Sequence, residues 1–196
     1  MLDESTTCDL CNISYSNLCK PCLPCNSRKN YIMLVGESPS NKEGKTKQAF
    51  SGKNFSVLNN FLEAYGLDGY CYKTFLVKCR PDIGDVITSK VVENCGNQFL
   101  SKELLEVKPK IIIGFGYVVN RYFLGKVKAA PLSIVQFPNG TLYIPFYSPV
   151  YISKEKNYTL YIKVCDFLRE AVYSAFGSNF VMLEEPVKQI KKKYKL

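Results

Sequence analysis

The spacing of the cysteines constrains this chain more than any other feature. Five of the nine cysteines form three overlapping C-x-x-C pairs near the N-terminus. The pairs are Cys8 with Cys11, Cys19 with Cys22, and Cys22 with Cys25. Two thiolates at this spacing can bind one metal centre, either zinc or an iron–sulfur cluster. Because the chain contains no histidine, the pattern excludes a Cys2His2 finger and any histidine acid, base or metal ligand.

The composition favours one domain with a continuous core, since 46% of the 196 residues are hydrophobic. The longest apolar run, from Ile111 to Val119, is too short to span a bilayer, and no signal segment is evident. We therefore expect a cytoplasmic or nuclear protein without a membrane partner, located in the host cell if its source is a virus or phage. In such a compartment cysteines are ligands or buried thiols, and a secreted disulfide scaffold is the weaker alternative.

The charge of the chain favours an anionic partner. The formal net charge is +9, and five lysines lie between residues 188 and 195. Lysine and arginine bind phosphate backbones by releasing condensed counterions, so nucleic acid is the expected partner. The alternative for the C-terminal lysines, which include Lys191, Lys192 and Lys193, is a solvated segment that only keeps the protein soluble.

Apolar strands alternate with helical periodicity along the chain. Strands are predicted at 31–35, 72–77 and 111–113, with helices between them, and a hairpin is predicted around Asn139-Gly140. This order predicts a three-layer α/β/α fold with a central, largely parallel sheet, in which ligands bind at the carboxyl ends of the strands. We divide the chain into a cysteine-rich segment (1–30), an α/β domain (31–180) and a basic C-terminal tail (181–196).

Those predicted carboxyl ends carry four motifs in unbroken order. They are Val35-Gly36-Glu37-Ser38-Pro39, Phe50-Ser51-Gly52-Lys53, Val77-Lys78-Cys79-Arg80-Pro81 and Pro109-Lys110-Ile111-Ile112-Ile113. Together with the cysteines, they resemble the iron–sulfur (family 4) uracil-DNA glycosylases over residues 8 to 152. The resemblance implies the fold of that family, DNA as the partner, and a role in DNA repair by base excision.

The resemblance also implies a set of cluster ligands. Cys8, Cys11, Cys79 and Cys95 match the family's four cysteines, which hold a structural 4Fe-4S cluster. Cys22 and Cys25 are an alternative first pair, and zinc is an alternative metal. Cys19, Cys22 and Cys25 are otherwise a rival ligand set or loop thiols. Two further cysteines in apolar contexts, Cys71 and Cys165, are predicted to be buried free thiols.

The base pocket is the part of the sequence that departs from this family. By the resemblance, Gly36, Glu37, Ser38, Pro39 and Phe50 line the pocket, with Phe50 as the ring on which the base stacks and Glu37 as the catalytic acidic residue. The family's uracil-reading asparagine is replaced by Phe75, and its histidine by Ser148. Lys53 and Arg80 join the C-terminal lysines as predicted DNA contacts. An alternative role for Glu37 is to cap the nearby helix or to pair with a lysine.

Two functions remain after these substitutions. One is a catalytically degenerate member of the fold that binds DNA or acts as an assembly subunit, for example with a polymerase, in viral or phage replication or transcription. The other is an active glycosylase that excises uracil or another base from an altered pocket. We favour the first because an electrostatic donor such as the missing histidine is worth about 100- to 1000-fold in rate. Whether the DNA is single- or double-stranded is left open by the sequence.

Overall fold

The computed structural model describes most of the chain, namely Cys8, Cys11, Ile13 and residues 31–82, 85–177, 180 and 184–196. Most of the predicted cysteine-rich segment, including Cys19, Cys22 and Cys25, lies outside the described residues. Ile13 is buried against the apolar side chains of the domain. The N-terminal segment therefore contacts the domain at Ile13.

A five-stranded sheet forms the centre of the molecule. Its strands are β1 (Ile32–Gly36), β2 (Cys71–Phe75), β3 (Ile111–Phe115), β4 (Val135–Gln136) and β5 (Leu142–Phe146). Their spatial order is β2-β1-β3-β5-β4. Strands β2, β1, β3 and β5 run parallel, and β4 pairs antiparallel with β5. The largely parallel sheet and the hairpin before β5 are thus confirmed.

Helices cover both faces of this sheet. They are α1 (Asn41–Thr46), α2 (Lys53–Ala64), α3 (Ser89–Cys95), α4 (Ser101–Val107), α5 (Tyr117–Leu124), α6 (Pro149–Glu155), α7 (Thr159–Phe176) and α8 (Glu184–Lys193). A 3-10 turn, Asp68–Tyr70, precedes β2, and a π-helical turn, Gly96–Leu100, joins α3 to α4. The three-layer α/β/α prediction is confirmed.

The core divides into two apolar layers because side chains alternate across each strand. Ile32 and Leu34 of β1 pack on one face with α2 and α7. Met33 and Val35 point to the other face and pack with α3 and α5. All five residues of β1 are buried, as expected for a central parallel strand that is covered on both sides.

The basic C-terminal segment includes the helix α8, which packs on α2. Val187 and Ile190 are its buried residues. Just after the helix, the Tyr194 ring stacks on Phe61 with 5.4 Å between centroids. The Asn60 side chain donates a hydrogen bond to the Tyr194 hydroxyl at 3.0 Å. The lysines of α8 therefore lie beside the C-terminal half of α2.

No helix within the described ranges is long and apolar enough to cross a membrane.

Candidate functional site

The predicted pocket residues lie at one edge of the sheet. The chain order reverses between β1 and β3, and such a reversal opens a crevice at the carboxyl ends of the strands. Glu37 follows β1, Gly116 follows β3 and Ser148 follows β5. The loops after β3 and β5 are joined, because the Gly116 amide donates to the Phe146 carbonyl at 3.0 Å.

A buried carboxylate fixes the loop that carries Phe50. Glu43 is only 1% exposed. It accepts hydrogen bonds from the backbone amides of Ser40 at 3.1 Å and Gly52 at 2.9 Å, and from the Ser40 hydroxyl. A Cβ on Gly52 would collide with this carboxylate, so the position requires glycine. Glu43 was not among the predicted site residues, although Ser40 and Glu43 have the spacing of a capping box.

Phe50 itself has an unusual backbone. Its φ of 61° lies in the left-handed region, which costs about 1–2 kcal/mol for a residue with a Cβ. The Asn59 side chain stabilises this conformation by donating a hydrogen bond to the Phe50 carbonyl at 2.8 Å. The turn directs the Phe50 ring into the core, where only 1% of the residue is exposed.

Other phenylalanines surround the Phe50 ring. Phe55 of α2 stacks on it with centroids 3.7 Å apart and planes at 17°. The Phe75 ring is tilted against the Phe50 ring, with 5.3 Å between their centroids. The Phe115 ring meets the Phe50 ring edge-on, with 6.0 Å between centroids. Phe55 and Phe115 were not predicted as site residues. The helical periodicity of α2 indicated only that Phe55 is buried, and β3 extends two residues beyond its predicted end to include Phe115.

Phe75 fills the space next to the glycine of the first motif. Gly36 and Phe75 are register partners in the β1–β2 pair. A Cβ on Gly36 would lie 2.8 Å from the Phe75 ring and 3.1 Å from Phe55. Pro39 is buried, and Ser38 is half-buried at the same edge. An aromatic ring therefore stands where the resemblance places an amide.

The two polar residues of the predicted pocket have different environments. Ser148 is the N-cap of α6, and its hydroxyl oxygen accepts a hydrogen bond from the Tyr151 amide at 3.2 Å. Glu37 is half-buried, and this loss of solvent raises the pKa of its carboxyl. Ser148 thus has a capping role, whereas Glu37 is a carboxyl with raised proton affinity.

The four predicted cluster ligands are electrostatic neighbours. Burial, together with the nearby Cys95, Cys11 and Cys8, raises the pKa of Cys79 to about 12. Burial outweighs the opposing hydrogen bond from the Lys78 amide, at 3.3 Å, and the pKa of Cys95 rises to about 11. The two buried thiols, Cys79 and Cys95, are therefore poorly stable as free thiolates, and a bound cation would compensate their charge.

The four predicted ligands have the chemistry and the number that a thiolate-bound metal centre requires. In the described structure, their side chains do not lie close enough together to hold a metal ion. Within the described part of the chain, no three cysteine, aspartate or glutamate side chains converge closely enough to hold a metal ion. The other two cysteines that the structure describes, Cys71 and Cys165, are buried free thiols, as predicted. The Cys71 thiol donates a hydrogen bond to the Leu67 carbonyl at 3.3 Å.

The predicted DNA-binding cations do not form one cluster. Lys53 is exposed at the start of α2, close in sequence to Phe50. Arg80 pairs with Asp82 and donates a hydrogen bond to the Asn41 side chain at 2.6 Å. Lys191, Lys192 and Lys193 lie on α8, beside the other end of α2.

Comparisons with known proteins agree with this architecture. Residues 25–173 match the family described as the Uracil DNA glycosylase superfamily. The chain is similar to the Type-4 uracil-DNA glycosylase of Thermotoga maritima, with 26% identity over 64% of this chain and 68% of that protein. Enzymes of the same description from Archaeoglobus fulgidus and Sulfurisphaera tokodaii are 32% and 30% identical. These two matches cover 46% and 50% of this chain, and 45% and 46% of those two proteins.

Proposed function

The chain belongs to the uracil-DNA glycosylase superfamily, and on this premise we propose that it binds DNA with a base pocket that is closed to uracil. The observation that carries the proposal is the stack of Phe55 on Phe50 at 3.7 Å. Enzymes that excise a base must first take it out of the helix and insert it into a fitted pocket. A ring that is already stacked on another ring cannot receive that base.

The burial of Phe50 supports the same conclusion. Its exposed fraction is 1%, so neither face of the ring is open to a ligand. Phe55 covers one face at stacking distance, and Phe75 and Phe115 lie within 6.0 Å. Entry of a base would require at least one of these rings to leave the core, which costs about 1.5–3 kcal/mol for a phenylalanine before any strain is counted.

The polar contacts needed for excision are also missing. Phe75 offers no hydrogen bond to the edge of a base. Ser148 is uncharged, and its oxygen already accepts the Tyr151 amide. The charge that develops on uracil as the glycosidic bond breaks would therefore have no cationic partner at this position.

One observation favours the alternative, an active glycosylase with a different base choice. The carboxyl of Glu37 is half-buried at the carboxyl end of β1, and burial raises its pKa. A carboxyl with raised proton affinity is a typical general base, and here it would orient a water molecule for attack on the sugar. This function requires the phenylalanine cluster to open.

We further propose that Cys8, Cys11, Cys79 and Cys95 hold a 4Fe-4S cluster. The charge coupling of the four thiols and the family resemblance support this ligand set. When bound, such a cluster crosslinks distant segments of the chain, and we assign it no part in base chemistry. Cys79 follows β2, Cys95 ends α3 and Cys8 precedes the domain, so these residues would hold the N-terminal segment against both elements. Zinc remains the alternative metal.

A role as an assembly subunit, with a polymerase or another protein in viral or phage replication or transcription, is a further hypothesis. It follows from the closed pocket, because a domain that cannot excise a base can still position DNA for another protein. Its test is whether the purified chain co-elutes with a candidate polymerase on DNA.

The proposed function can be tested by fluorescence anisotropy on two labelled oligonucleotides that differ only in one uracil or thymine. We expect equal affinity for both, with an affinity that falls steeply as salt increases. Tighter binding of the uracil strand would contradict the closed pocket. Failure to bind either strand at low salt would contradict the DNA-binding function.

A further inference from the structure

An open groove lies beside the phenylalanine cluster and shares Ser148 with the predicted base pocket. It has a volume of about 780 Å³ and is bounded by α5, residues 125–131 and the start of α6. Ser148 lies at its rim, so the groove begins where the predicted base pocket ends. At this edge of the sheet, the groove is open to a large ligand.

Tyrosine rings line this groove and face solvent. Tyr117 is 74% exposed and Tyr151 is 47% exposed. The Tyr151 ring stacks on Tyr147 with centroids 5.2 Å apart and planes at 21°. Exposed flat rings of this kind are the usual platforms on which single-stranded nucleic acids stack their bases, since every base has a π face.

The charge of the groove complements phosphate. Arg121 on α5 and Lys126 and Lys128 in the segment that follows line it, and all three residues are exposed. None of the described residues that line the groove is acidic. A ligand with regularly spaced negative charges and aromatic faces matches this combination, whereas a neutral apolar ligand does not.

We propose that this groove binds single-stranded DNA, with bases stacked on Tyr117 and on the Tyr147–Tyr151 pair and phosphates held by the neighbouring cations. The strand rather than the duplex is the ligand because stacking on a tyrosine requires an unpaired base with a free face. This inference rests on the proposed DNA-binding function and assigns it a location and a strand preference.

The test is the affinity for a labelled oligothymidylate of about 12 nucleotides, which is within the span of single-strand binding sites. Tyr117→Ala and Tyr151→Ala should each weaken binding by about fivefold to a hundredfold, as loss of one stacked base does. The salt dependence of oligonucleotide binding should be the same for these two variants as for the unmodified protein. Arg121→Gln should weaken binding and lower the salt slope by about 0.7, as loss of one phosphate contact does.

The matched controls are Tyr173→Ala and Lys163→Gln on α7, where both residues are exposed and lie outside the groove. Both should bind the oligonucleotide like the unmodified protein. The tyrosine variants should bind a duplex of the same length with unchanged affinity. Thermal unfolding of each variant checks that the fold is retained, which is expected because the substituted side chains are exposed.

The outcomes separate this inference from the function on which it rests. If the Tyr117→Ala/Tyr151→Ala double variant binds single strands as tightly as the unmodified protein does, the groove is not the binding site, although DNA binding stands. If the variants lose single-stranded and duplex DNA equally, stacking is not the mode of binding. If the unmodified protein binds no DNA, the proposed function itself fails.

Discussion

At the scale of single residues, the position of Phe50 depends on Glu43 and Gly52. Phe50 has a strained left-handed backbone, and the loop keeps it because the Glu43 carboxylate accepts the Gly52 amide two residues later. Hydrogen bonds to a charged acceptor are worth about 1.5–3 kcal/mol. The buried Glu43 carboxylate therefore fixes the loop that carries Phe50.

Glu43→Gln should therefore destabilise the fold. The amide can accept hydrogen bonds only at its oxygen, so either Ser40 or Gly52 loses its acceptor. We expect a loss of about 1–3 kcal/mol in the free energy of unfolding, measured by urea denaturation. Glu184→Gln on α8, where the side chain is 81% exposed, is the control and should change stability little. An equal effect of the two substitutions would contradict the assigned role of Glu43.

Glu37 should make stability depend on pH. Burial raises its pKa in the folded state above the ordinary value of 4.5. The folded protein therefore binds the proton more tightly than the unfolded chain, and stability falls as pH rises from 4.5 through the folded pKa. Glutamine cannot ionise, so Glu37→Gln removes the loss of stability that accompanies ionisation. The variant should be more stable than the unmodified protein at pH 7, whereas at pH 4 it should have no such advantage. Thermal unfolding at the two pH values measures the difference, and a variant that is less stable at pH 7 would contradict the assignment.

At the scale of elements, a buried ion pair joins the loop after β2 to α4. The Lys78 ammonium lies 2.7 Å from the Glu103 carboxylate, and both side chains are almost fully buried. The Thr74 hydroxyl lies between them, 2.6 Å from Lys78 and 2.9 Å from Glu103. The network fixes α4 against the strand whose C-terminal loop carries Cys79.

Lys78→Met should be strongly destabilising, because it leaves the Glu103 carboxylate buried without its cation. Removal of one partner from a buried pair costs about 3–5 kcal/mol. The exposed pair of Lys188 with Glu184, at 3.9 Å, supplies the control, and Lys188→Met should change stability by less than about 1 kcal/mol. Chemical denaturation of both variants measures the difference. If Lys78→Met lowers the free energy of unfolding by less than about 1 kcal/mol, the network does not hold α4 against β2.

Local sequence patterns predicted the elements better than the contacts between them. Continuous apolar runs predicted β1 and β3, and helical periodicity predicted α2. These predictions succeeded because the residues that form one buried strand or helix face are close together in the sequence. The stack of Phe55 on Phe50 depends instead on a left-handed turn and on a buried carboxylate nine residues before Gly52. No periodicity encodes such a contact, so Phe55 was predicted only as a core residue.

At the scale of the whole molecule, the four proposed cluster ligands come from distant parts of the sequence. They occur near the N-terminus, after β2 and at the end of α3, and the two in the domain are buried. Crosslinking segments that are far apart in sequence removes conformational freedom from the unfolded chain. The proposed cluster would therefore be a structural element of the entire fold.

Protein purified without oxygen should contain about four irons per chain and absorb broadly in the visible range. Cys79→Ala and Cys95→Ala should lose the iron and much of the soluble protein. Cys165→Ala removes a buried thiol outside the proposed ligand set and should keep the iron. Zinc without iron in the purified protein, or full iron content in Cys79→Ala, would contradict the ligand assignment.

The closed pocket is the central claim, and single-turnover uracil release tests it most directly. Excess protein is mixed with a single-stranded oligonucleotide that carries one uracil, and abasic sites are counted after alkaline cleavage, with the Thermotoga maritima enzyme as the positive control. Because Phe55 covers Phe50 and neither Phe75 nor Ser148 can bind the base, we predict no release above the rate without protein. Complete release of uracil by the unmodified chain would contradict the account.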